Sequence, residues 1–347
     1  MLRAAVRRMG GVAAQRSARR YRRARRLRSH KRGVVAVIGT LLSLLVFFAL
    51  FGIFLTQYLP LWMTDNESAF TSAAANSFAQ FKGDVDSQYV LDAPPVLGAP
   101  FTVSSAGIPL LAQPTEGTLS FLPQTCPAGF YTVLNDGGNA SRIGQPVNPA
   151  YCIFENQTMS YGPGGIPNFN LEAVTGVLEL QLPNRYFTGE TFQYEADGVI
   201  QVQSGSYQIM AFAPPFNVTR IAGNTTVAST FLQLSGNATS FISQGTVEVY
   251  SHLRFSQYLT SNGIPTARSF QYTYEVGTQN PCAWSQLIQS QLSTSGVPAN
   301  QSIWHPYVGS CANPSGTTTV LQLTLTAVNY VQLYYAGSQV SIGIGSS

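Results

Sequence analysis

Charge of either sign is scarce in this sequence, and the scarcity is sharpest between Gly33 and Thr64, where 32 consecutive residues contain no Lys, Arg, Asp or Glu. No acidic residue precedes Asp65. Histidine occurs three times, and only His252 and His305 lie beyond the leader. There is no HExxH, no G-x-S-x-G and no Cys/His group at zinc spacing, so the usual sequence patterns of zinc hydrolases and α/β-hydrolases are excluded. A second apolar run as long as the first is also missing, which limits membrane-crossing helices to one.

What is present is sorted by position. Residues 1–32 hold 13 Lys and Arg, and residues 65–347 hold the other 6 together with all 15 Asp and Glu. The uncharged stretch Val34 to Leu59 is long enough for a helix across the hydrocarbon core, which takes about 20 residues. Lipid offers its backbone no hydrogen-bond partner, so it must be helical. Tyr58 and Trp62 stand where an aromatic belt anchors the far end. Cations beside a span stay cytoplasmic, which places the N-terminus inside and the acidic remainder outside. A nucleic-acid arm or a mitochondrial transit peptide also suits the basic leader, but a nucleic-acid partner lacks a companion fold and a transit peptide leaves the features below unexplained.

Those features suit an exported domain. Four cysteines form two sequence-local pairs, Cys126 with Cys152 and Cys282 with Cys311, although four cysteines allow three connectivities. Local bridges would each be worth on the order of 3 kcal/mol in the chain-entropy model. Glycosylation sequons occur at Asn66, Asn139, Asn156, Asn217, Asn224, Asn237 and Asn300. After Pro60, the residues Phe70, Ala74, Phe78, Phe81 and Val85 recur at three- and four-residue steps and predict an amphipathic helix over 63–90. A kink is expected at Pro60, and Gly83 with the polar stretch after it ends the apolar pattern.

From residue 91 onward, turn clusters such as GPGGIPN and APPFN separate short segments rich in Val, Thr, Tyr, Phe and Ile, many alternating with period two. The expectation is a mainly β chain. A membrane helix over 34–62 continues into the amphipathic helix, and an antiparallel, sandwich-like exported head without helical segments occupies 91–347.

Residues Lys31 to Leu42 read KRGVVAVIGTLL. This resembles the processing site and N-terminal domain of archaeal type IV pilins and flagellin-like proteins, often written R-G-V-S-x-V-I-G-T-L-L. Val35 stands in place of the Ser, and Ile38 lies where bacterial pilins carry an acidic residue. The resemblance implies a class III signal peptide over 1–33, cleaved by a prepilin peptidase between Gly33 and Val34. It also implies a helix over 34–62 that contacts membrane lipid or other pilin-like subunits, and a role in a cell-surface pilus or in adhesion. Two other readings use the same residues: an uncleaved signal-anchor binding protein, and an exported hydrolase.

The residues speak for no enzyme, cofactor or metal. Asp84 and Asp86 form a fragment of a calcium loop without its remaining ligands. Glu190 and Glu195 are candidates for a glycosidase-type pair, which requires a set separation across a cleft.

Overall fold

A computed structural model describes residues 37–91, 95–123, 146–147, 153–160, 167–203, 207–242, 245–260, 270–309, 311 and 318–344. The chain divides into two compact units, residues 1–62 and 63–347.

Helix begins at Val37 and runs to Val90. Pro60, which lacks an N–H and crowds the carbonyl four residues back, is accommodated by a π-turn at Phe54–Tyr58, where the Leu59 N–H donates to the Phe54 carbonyl. Where a kink is expected at Pro60, the helix thus carries a widened turn and runs on. Helix also continues through Gly83, whose missing side chain faces open space.

The larger unit is built on sixteen strands among the described residues. A six-stranded sheet has the order β12 (Thr239–Ile242), β2 (Thr118–Leu122), β6 (Val177–Leu182), β7 (Glu190–Glu195), β8 (Gly198–Gln203) and β9 (Tyr207–Phe212), all antiparallel. The other sheet is organised by β16 (Thr318–Ile344), a strand of 27 residues. One side of β16 pairs first with β14 (Phe270–Thr278) and then with β13 (Thr246–Thr260). The other pairs with β15 (Ser302–His305) and, in parallel, with β11 (Asn224–Gly236). β1 (Leu97–Thr102) extends this sheet beyond β13, and β4 (Phe154–Ser160) and β5 (Pro167–Val174) extend it beyond β14.

Period-two alternation sends successive residues to two apolar clusters. Val199 and Ile200, neighbours on β8, belong to different ones. The first cluster holds the helix stripe Phe70, Ala74, Phe78, Phe81 and Val85 against β1, β2, β6 and β7. Phe78 meets Phe101 edge-on at 5.0 Å and Phe192 at 5.8 Å. The second cluster packs β14 and the earlier half of β16 against Trp284 and Ile288.

Two features depart from the expected head. The β11–β16 pair is parallel, so the head is not purely antiparallel. Pro281–Ser295 is a helix, with proline in its first turn and Gly296 left-handed at φ 71° just after it. Burial of Ala283, Trp284 and Ile288 on one face stabilises a short segment whose intrinsic helicity is lowered by its Ser and Thr residues.

Candidate functional site

The least explained surface of the molecule is the apolar helix of the smaller unit. Its most apolar 18-residue window has a mean hydropathy of 2.6 and no buried residue. Leu44, Leu45, Val46, Phe47 and Phe48 are each at least half exposed, and five consecutive helical residues cover every face. A helix that is apolar all round is stable in lipid or among other helices, but not in water. Phe47, Phe51, Phe54 and Tyr58 stack in succession at 5.9, 6.5 and 6.3 Å, forming an aromatic ridge along one side. Both of its threonine hydroxyls are internally satisfied: Thr40 Oγ1 donates to the Val37 carbonyl at 2.9 Å, and Thr56 Oγ1 to that of Gly52 at 2.8 Å. One helix is therefore long and apolar enough to cross a membrane. Gly33 and Val34 lie outside the described residues.

Within the larger unit, the helix is fastened by charged side chains placed on its apolar stripe. Glu67 is fully buried and accepts the backbone N–H groups of Arg185, Tyr186 and Phe187 at 3.0, 2.7 and 2.7 Å, together with the Thr115 hydroxyl at 2.7 Å. Burial alone would raise its pKa, but these four donors outweigh it and hold the carboxyl below its ordinary value. One helical segment further on, the Lys82 ammonium donates to the Asp197 carboxylate at 2.9 Å and to the Asp197 carbonyl at 2.8 Å, and pairs with Asp86 at 3.2 Å. Asp197 lies in the tight β7–β8 turn, where Ala196 and Asp197 both take positive φ, 47° and 62°. Tyr194 donates to the same carboxylate at 2.7 Å.

The sequence-derived site residues are scattered. Cys282 and Cys311 are bonded, tying the Pro281–Ser295 helix to the segment after β15, whereas Cys126 and Cys152 lie outside the described residues. Among the sequons, Asn217, Asn224, Asn237 and Asn300 are exposed. Asn66 is half-buried and donates to the Ala106 carbonyl, and Asn139 is not described. Asn156 is 1% exposed and donates to Glu275 at 3.0 Å, so the folded head has no room for a glycan there.

No catalytic group is assembled from the other candidates. His252 pairs with Gln339 and His305 with Gln322, seventeen residues apart along β16, roughly 55 Å if extended. Glu190 and Glu195 stand at opposite ends of β7 with separate partners. Gln201 and Gln203 donate to Glu190, while Thr278, Trp284 and Asn280 donate to Glu195. Asp86 is paired with Lys82, and among the described residues no three His, Cys, Asp or Glu side chains form a metal-holding group. A shallow depression of about 190 Å³ is lined by Glu179, Gln181, Gln193 and Asn280. Both Glu179 oxygens there are already occupied by the Gln181 and Gln193 amides.

Glu67 and Lys82 were the informative residues that pattern reading passed over. Both interrupt the apolar stripe, at steps of three and four from Phe70 and Phe78, and a charge on such a stripe signals a buried partner. Arg185 to Phe187, which meet Glu67, and Asp197, which meets Lys82, are more than a hundred residues away, beyond the reach of local patterns.

No protein-family model matches the chain, and no curated protein or solved structure shows significant similarity to it.

Proposed function

We propose that this protein is a membrane-anchored, pilin-like cell-surface subunit with a structural or adhesive role, trimmed by a prepilin peptidase between Gly33 and Val34. The observation that carries the reading is the uncharged helix exposed on every face, directly preceded by KRGVV and 13 cations. Basic residues hold the cleavage site at the cytoplasmic surface, and the small Gly33 suits a peptidase cleft. After cleavage the apolar helix remains on the mature chain, held in lipid or against neighbouring copies. The head lies outside the cell, its bridge between Cys282 and Cys311 suiting an oxidising exterior.

Mass spectrometry of the protein isolated from its native membrane tests this. The expected mature chain begins at Val34. A chain that retains the leader from Met1 would instead favour the uncleaved signal-anchor reading.

A further inference from the structure

Among the described residues, seven carboxyl side chains of the head are buried: Glu67, Glu155, Glu179, Glu190, Glu195, Asp197 and Glu275. Of the most deeply buried, Glu67 is held by three backbone N–H groups and Asp197 by the Lys82 ammonium, whereas Glu155 and Glu195 have no cationic partner among the described residues. Glu155, on β4, takes the Tyr274 hydroxyl at 2.5 Å. Glu195, ending β7, takes the Thr278 hydroxyl, the Trp284 indole N–H at 2.8 Å and the Asn280 amide at 3.3 Å. These partners are neutral. The nearby cation, Lys82, is engaged by Asp197 and Asp86.

The long helix contributes Lys82, Asp86 and Tyr89, and the β7–β8 hairpin contributes Tyr194 and Asp197. Strand β14 contributes Tyr272 and Tyr274, while its Glu275 is turned to the Asn156 and Gln322 amides. The Pro281–Ser295 helix and β8 bring no titratable group, Cys282 being disulfide-bonded. Glu155 and Glu195 therefore share one core region with Asp197, whose carboxyl burial pushes up to about 7 against the opposing pull of Lys82.

We propose that Glu155 and Glu195 form a proton-operated joint between the six-stranded sheet, β4–β14 and the Pro281–Ser295 helix, which tightens when the surroundings turn acidic and loosens as they approach neutrality. Ionising both carboxyls would place two uncompensated charges in an apolar interior, whereas protonated carboxyls keep their hydrogen bonds without that cost. Burial, the largest cause, pushes Glu195 up to about 7 and raises Glu155 well above the carboxylate range. A raised folded-state value means stability that is full below the unfolded value and lost as pH rises through the folded one. The head is thus suited to an acidic exterior, a conclusion independent of the pilin reading.

Chemical unfolding of the full chain in detergent micelles, from about pH 5 to about pH 9, tests the proposal. From about pH 5 to about pH 7 the folding constant should fall by about tenfold per pH unit for each carboxyl that the folded head keeps protonated and the unfolded chain ionises. Glu195→Gln, nearly isosteric, should flatten that slope and leave the head more stable than wild type in alkali. A wild-type stability that is flat or rising over this range, or an unchanged slope in E195Q, overturns the proposal. Should E195Q fail to fold, infrared difference spectra of the wild type decide: a buried protonated-carboxyl band must be present at about pH 5 and disappear by about pH 9. Its absence at the acidic end overturns the joint.

Discussion

Glu67 shows how a single carboxylate orders a distant loop. Three consecutive N–H groups from Arg185 to Phe187 converge on it, an arrangement that a turn can maintain only around an anion or its equivalent. Glu67→Gln replaces one acceptor oxygen with an NH₂ that faces N–H donors, so at least one buried donor loses its partner. The expected loss at neutral pH is about 2–3 kcal/mol, seen as a lower midpoint in urea unfolding. Because the folded-state pKa of Glu67 is depressed, its contribution is present above the unfolded value and disappears as pH falls through the folded one. Wild type and variant should converge in strong acid, opposite in sign to the behaviour of Glu195. A gap that persists unchanged at low pH would show that the carboxylate charge is not what matters.

At the scale of elements, legibility followed the range of the interactions. The stripe Phe70, Ala74, Phe78, Phe81 and Val85 could be read because helical periodicity is local, and all five side chains are buried. β16 reads as two strands, since Asn329 between Val328 and Tyr330 has the look of a turn residue. Its carboxamide oxygen accepts the Thr225 N–H at 2.9 Å where the β11 register shifts, so a partner about a hundred residues away carries the strand across the interruption. The Pro281–Ser295 helix was hidden for a similar reason: its start and stop residues are visible, but its stability comes from the cluster around Trp284 and Ile288. Gly83 makes the same point in reverse, having the look of a terminator while lying inside a helix that runs to Val90. A Cβ at Gly83 meets nothing within 4 Å, so Gly83→Ala should stabilise the protein by about 0.5–1 kcal/mol, read as a raised thermal midpoint. Destabilisation would mean that helix does not persist through this position in solution.

At the scale of the whole molecule, the division of charge was legible from composition, while the meeting of β11 with β16, and of Lys82 with Asp197, was not. Charge and hydropathy are sums along the chain, but pairing depends on which distant segments exclude water together. The consequence that remains to be tested belongs to the uncharged helix. Leu41, Leu45 and Phe48 lie on one side of it and are about 60% exposed. Each Arg near the centre of a span costs about 2.5–3.5 kcal/mol on insertion, and each apolar residue returns only about 0.3–0.6. Changing all three to Arg should therefore offset most of the gain from the whole segment. The triple variant is expected to leave the membrane on alkaline washing, whereas the wild type stays with the pellet. The head should keep its fold, because Phe78 and the rest of its buried stripe are untouched. A triple variant that remains embedded, or a wild type that washes off, would refute a membrane role for Val37–Trp62. A soluble variant that has also lost its head's circular dichroism would instead mean that the head depends on this segment for folding.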